Sequence, residues 1–165
     1  MTARSQMNTA TRSAISMKSS ENTIRTFATL RFVGDALEPD EISYIVKEKP
    51  TRAYRKGEVY RPGPRSPEIT GKTGVWYFST KHKIRSDDLT DHINALEGLV
   101  SPVADPTGRL KELREIMERR NLQAHATLFW HGPPGARHPV IPPSATEALR
   151  RLPADIEADF ANEDC

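Results

Sequence analysis

Nine cationic side chains, Arg52, Arg55, Lys56, Arg61, Arg65, Lys72, Lys81, Lys83 and Arg85, fall between Thr51 and Arg85, opposed there only by Glu58 and Glu68. Tyr54, Tyr60, Trp76 and Tyr77 are interleaved with them. Cations neutralise phosphates and aromatic faces stack on bases, so a hairpin of this composition suits single-stranded nucleic acid. It suits an acidic protein partner equally well. The plainer reading is a solvated basic surface with Trp76 and Phe78 packed in the core, the commoner fate of strand aromatics. Between the two ligand classes, the acidic run Asp155, Glu157 and Asp159 speaks against a uniformly basic molecule.

The remaining residues with chemical potential do not form a recognisable catalytic set. Gly71-Lys72-Thr73 resembles the end of a phosphate-binding loop, but that loop needs a glycine where Ser66 stands, and a helix where a strand pattern follows. Asp88, Asp91 and His92 share one helical face at metal-ligand spacing, yet the acids are already accounted for by a helix N-terminus and no further ligand joins them. His125, His131 and His138 are loosely spaced. No serine or cysteine has a nucleophile context. Glu157 and Asp159 share a strand face without apolar neighbours to raise a pKa. We therefore expect no catalytic, metal or cofactor site.

The elements that must carry these residues are set by hydrophobic period and by stop signals. Thr26–Val33 crowds β-branched and aromatic residues ahead of Gly34-Asp35 and reads as a strand. Pro39 with Asp40 and Glu41 opens a helix whose stripe is Ile42, Ile45 and Val46, stopped by Pro50. Strands around Arg52–Tyr54 and over Val75–Thr80 flank a Pro/Gly loop and form a long-looped hairpin. Ser86-Asp87-Asp88 caps a helix through Leu89, Ile93, Leu96 and Val100. A second helix runs through Leu110, Leu113, Ile116 and Met117 to Asn121. Gln123–Trp130 alternates as a half-buried strand, and a rigid loop begins at His131. Ser144 and Glu147 spell a capping box for a last helix, and Ile156, Ala158 and Phe160 alternate with acids in a final strand.

This order predicts an α+β fold: a mainly antiparallel sheet of about five strands with helices packed on it. The first part follows the ferredoxin-like split βαβ plan, and a helix-strand unit is added at the C-terminus. Residues 1–23 read as a disordered tail, with Met7 or Met17 as alternative starts, 24–161 as one domain, and 162–165 as a polar end.

The net charge of +2 excludes neither partner class. The single cysteine, Cys165, allows no internal disulfide and suits a reducing compartment. No apolar run is long enough to span a membrane. A cytoplasmic protein is expected.

The stretches LRFVGDALEPDEISYIVKEKPTRAYRKGE, GVWYFSTKHKIRSDDLTDHINALEGLV and SATEALRRLPADIEADF together resemble the bacterial domain of unknown function numbered forty-two seventy-nine. The match rests on Gly34, Pro39, Glu41, Ile42, Pro50, Thr51, Lys56, Gly57, Glu58, Trp76, Leu89, His92 and Ile93, and covers roughly Phe27 to Phe160. Phe160 stands where the family tends to place tyrosine, and the HGPPGARHP loop is particular to this chain. The resemblance implies a bacterial cytoplasmic setting and supplies no activity or functional residues. The sequence thus reads as a non-enzymatic protein-binding module, of the inhibitor or immunity type by fold-level analogy, using its loops and the basic hairpin, with single-stranded nucleic-acid binding as the alternative.

Overall fold

The computed structural model describes residues 23–163. The expected N-terminal tail lies outside them, save Thr23. Seven strands and four helices follow in the order β1 (Arg25–Gly34), α1 (Pro39–Val46), β2 (Arg52–Tyr54), β3 (Val59–Tyr60), β4 (Ile69–Thr70), β5 (Gly74–Ser79), α2 (Leu89–Val100), α3 (Gly108–Arg120), β6 (Gln123–Gly132), α4 (Glu147–Arg151) and β7 (Asp155–Asn162). A 3-10 turn over Pro143–Thr146 leads into α4.

Five strands form one sheet in the order β2-β5-β1-β6-β7. Every neighbouring pair is antiparallel except β6 and β7, which are parallel because α4 carries the chain back between them. The fold is therefore α+β with a mostly antiparallel sheet. As the two-residue period requires, alternate residues of the central strands point to one face. Ala28, Leu30 and Phe32 of β1, Trp76 and Phe78 of β5, and Ala124, Ala126, Leu128 and Trp130 of β6 are buried there. The helices cover this face with Ile42 and Val46, with Leu89, Ile93, Leu96 and Val100, and with Leu110, Leu113, Ile116 and Met117. Burying each large side chain of this set contributes about 1.5–3 kcal/mol. Trp76 also donates its indole N–H to Ser43 Oγ on α1 at 3.0 Å, which ties that helix to the sheet.

Helix ends follow the sequence signals with one exception. Asp88 accepts from the Thr90 N–H and caps α2, and Asn121 closes α3 in the left-handed conformation. The capping box at Ser144 and Glu147 does not form. Helix α4 starts only at Glu147, with no cap hydrogen bond from its own N-cap side chain, and the N–H groups of Ala148 and Leu149 in its first turn are satisfied instead by Glu97 of α2.

Two further readings need correction. Strand β6 runs on through His131 and Gly132, where a loop was expected, because Arg25 of β1 and Ala161 and Asn162 of β7 remain paired beside it. The Pro/Gly loop between β2 and β5 also holds its own two-stranded ladder, β3 with β4. Beyond residue 161, Asn162 Nδ2 donates to the carbonyls of Pro133 and Ala136, and the Glu163 N–H donates to the Gly132 carbonyl.

Candidate functional site: the uncovered sheet face

The second set of alternate residues points away from the helices. The strand register fixes how they lie side by side. One row across the sheet reads Arg52, Tyr77, Arg31, His125 and Asp155, from β2 to β7. The next reads Ser79, Thr29, Thr127 and Glu157, and the one after joins Phe27, Phe129 and Asp159. A row of small hydroxyl residues thus lies between two rows of large side chains. Charge is graded along the rows, with Arg52 and Arg31 toward one edge and Asp155, Glu157 and Asp159 on the other.

Two aromatic stacks border this face. Phe27 and Phe129, directly opposed across β1 and β6, stack at 4.3 Å between ring centroids, and Phe129 stacks on His131 at 4.0 Å. At the far corner Tyr54 of β2 stacks on Tyr60 of β3 at 3.9 Å and 10°. There the β3–β4 ladder is held against β2, because Arg52 Nη2 also donates to the Pro62 carbonyl at 2.6 Å. Burial, reinforced by the Tyr60 hydroxyl, pushes the Tyr54 phenol up to about 12 against the opposing pull of Arg52 and Arg31. Tyr54 stays a neutral hydrogen-bonding group at neutral pH. On the acidic side, Asp159 Oδ1 lies 3.4 Å from His131 Nε2 and Asp155 Oδ2 lies 3.8 Å from His125 Nδ1.

The nine candidate cations do not gather into one patch. Strand β5 separates Lys72, Arg55 and Lys56 at its start from Lys81, Lys83 and Arg85 beyond its end by about 20 Å of extended chain. Four of the nine are engaged by carboxylates of the same chain. Arg55 Nε lies 2.6 Å from Glu38 and its Nη2 3.5 Å from Asp40. Arg61 pairs with Glu68 at 3.2 Å and Lys83 with Glu48 at 3.1 Å. Lys56 bonds Asp35 and, with help from Thr73, holds that carboxyl below the usual range. Among the described residues Arg65, Lys72, Lys81 and Arg85 have no carboxylate partner. Of the nine, Arg52 alone shares the central row of the face.

The remaining histidine of interest faces the opposite way. His92 is fully buried under the helix layer, where its Nε2 donates to the Ser86 carbonyl at 2.9 Å and its Nδ1 lies 2.6 Å from Thr80 Oγ1. It is thus separated by the sheet from His125 and His131, and its neighbours Asp88 and Asp91 are occupied by the Thr90 N–H and the Ser86 hydroxyl.

The pattern of the family described as a domain of unknown function, DUF4279, matches residues 22–162. The chain belongs to that family. No curated protein and no solved structure is significantly similar to this DUF4279 chain. Its site residues therefore have to be read from geometry. The charge count does not single out Arg31, Phe27, Phe129 or His125; the alternation of β6 sets His125 and Phe129 opposite Ala124, Ala126, Leu128 and Trp130, and the strand register brings Arg31 and Phe27 of β1 beside them.

Proposed function

We propose that this chain is a non-enzymatic protein-binding module that receives its partner on the uncovered sheet face. The observation that carries the reading is the cross-strand row Arg52, Tyr77, Arg31, His125 and Asp155, graded from basic to acidic on a face that no helix among the described residues covers. Half-buried aromatics beside charge of both signs suit a protein surface of complementary polarity. A polyanion would meet Asp155, Glu157 and Asp159 at one edge, which weighs against nucleic acid. The strand order β2-β5-β1-β6 supports the inference that the core is the ferredoxin-like split βαβ, with β7 added at the edge. In such a sheet a single uncovered face is the available broad surface. We take the chain as a single cytoplasmic domain. Among the described residues no helix is long and apolar enough to cross a membrane.

The test is site-specific photo-crosslinking in host lysate. A photoreactive phenylalanine analogue is placed at Tyr77, on the face, or at Tyr44, which is 82% exposed on the helix side. A protein captured from position 77 and not from 44, with nuclease present, supports the reading. Capture abolished by nuclease moves the site to nucleic acid. Crosslinks only from position 44 place the interface on the helices.

A further inference from the structure

A cleft of about 530 Å³ opens at the end of the sheet where β1 enters and β5 leaves. Phe27 and Phe129 line it, with Lys81, Arg85 and Asp87 from the segment leading into α2. Its volume lies in the range of small-ligand sites. The aromatic wall belongs to a ladder of three rings, His131 on Phe129 on Phe27. One side of Phe129 is taken by Phe27 and the other by His131, so the ladder can grow only at its ends. At the Phe27 end no fourth ring follows; the ammonium of Lys81 lies over the ring, 5.6 Å from its centroid.

We propose that this cleft binds a small ligand consisting of a planar aromatic ring that carries a phosphate group. The ring adds a fourth rung on the outer face of Phe27, the phosphate meets Lys81 and Arg85, and the long lysine stem swings aside to allow both. Lys81 and Arg85 are exposed and have no carboxylate partner among the described residues, so no ion pair must be broken. Arg25, at the cleft rim, is already engaged by Glu163 at 2.7 Å and is left in place. Asp87 is the cleft's own carboxylate, and it disfavours a ligand of purely anionic character without a ring to stack. Base–aromatic stacking and charge-assisted hydrogen bonds are the two contributions, and each has a separate control. The site lies at the end of the proposed docking face and does not depend on that reading.

Two sources share this chemistry, nucleotides and aryl phosphates. The probes are adenosine 5′-monophosphate and phenyl phosphate, with adenosine and inorganic phosphate as controls, titrated into the full chain and followed by backbone amide shifts. Saturable shifts confined to residues 25–27, 81–87 and 129 are expected with one or both probes, and which of them binds distinguishes the sources. Lys81→Ala and Arg85→Ala are each expected to weaken binding about tenfold, both being exposed changes that leave the fold intact. The proposal is overturned if neither probe saturates up to roughly 1 mM. It is overturned equally if inorganic phosphate binds as tightly as the ring-bearing probes, or if the shifts fall elsewhere on the sheet.

Discussion

The carboxylate of Glu97, in the last turn of α2, accepts hydrogen bonds from the backbone N–H groups of Ala148 at 2.8 Å and Leu149 at 3.0 Å, and so caps a helix that begins some fifty residues later. Helix α4 has five residues and no cap from its own N-cap side chain. Its first-turn donors depend on this one group. Glu97→Ala is expected to cost about 1–2 kcal/mol, the range of a lost helix cap, and to lower the melting temperature by roughly 2–8 °C. Thermal unfolding followed by circular dichroism checks this; an unchanged midpoint would mean that α4 contributes nothing to cooperative stability.

The same carboxyl also sets a pH dependence. Burial raises the Glu97 pKa above its ordinary value, and the two backbone donors only partly oppose that shift. An acid with a raised folded-state pKa binds more protons folded than unfolded, so stability falls as pH rises through the interval between its unfolded and folded values. The contribution is fully present below the unfolded value and lost above the folded one. Glu97→Gln keeps one of the two acceptors for α4 and removes the titration. Urea midpoints measured from acid toward neutral pH should show a decline in the parent chain that is shallower in Glu97→Gln. Parallel curves would assign the pH dependence to other groups.

A buried relay links β1, Thr80 just beyond β5, and α2. The Ala28 N–H donates to Thr80 Oγ1 at 2.9 Å, Thr80 lies 2.6 Å from His92 Nδ1, and His92 Nε2 reaches the Ser86 carbonyl. A carbonyl only accepts, so Nε2 carries the ring proton and Nδ1 accepts from the threonine hydroxyl. Thr80→Val preserves the side-chain shape while leaving the Ala28 N–H and the imidazole Nδ1 without those partners. The expected cost is about 1–3 kcal/mol, read from denaturant unfolding. Thr80→Ser, which restores the hydroxyl, should recover most of it. A serine variant as unstable as the valine variant would show that packing of the methyl group matters instead.

The sequence made local elements legible where one short-range signal settles them. Pro39 opened α1, Asn121 closed α3, and the alternation of Ala124, Ala126, Leu128 and Trp130 marked the buried side of β6. It failed where a distant group decides. Ser144 and Glu147 have the spacing of a capping box, but the chain makes a 3-10 turn over Pro143–Thr146, α4 begins only at Glu147 behind Thr146, and a carboxylate from another helix takes the N–H groups of Ala148 and Leu149. Strands β3 and β4 have two residues each, too short for any period to register. Counting charge within residues 51–85 also overstated the basic patch, because Asp35, Glu38 and Glu48 reach Lys56, Arg55 and Lys83 from outside that window.

Two glycines should respond to alanine in opposite directions. Gly74 pairs with Gly34 across β1 and β5, and a Cβ at Gly74 would lie 2.8 Å from both the Gly34 carbonyl oxygen and Leu37 Cβ. The strands would have to separate, so Gly74→Ala is expected to cost about 1–3 kcal/mol. Gly98, on the exposed side of α2, has open space around it. There alanine removes backbone entropy from the unfolded chain, and Gly98→Ala should stabilise by about 0.5–1 kcal/mol. Chemical denaturation of the two variants decides; destabilisation by both would mean that α2 is strained near Gly98.

Charge on the sheet face and charge on the hairpin can be separated by mutation. Arg55 and Arg61 are exposed and paired with Glu38 and Glu68, and exposed pairs of this kind contribute little to stability. Arg55→Glu and Arg61→Glu should therefore unfold at nearly the parent denaturant midpoint and still capture the protein partner. Arg31 is exposed at the centre of the graded row, between Tyr77 and His125, so Arg31→Glu reverses the charge at the middle of the proposed interface. It should fold normally and lose about tenfold or more in affinity for that partner. If instead Arg55→Glu and Arg61→Glu abolish capture while Arg31→Glu does not, the partner sits on the hairpin and the sheet face is not its site.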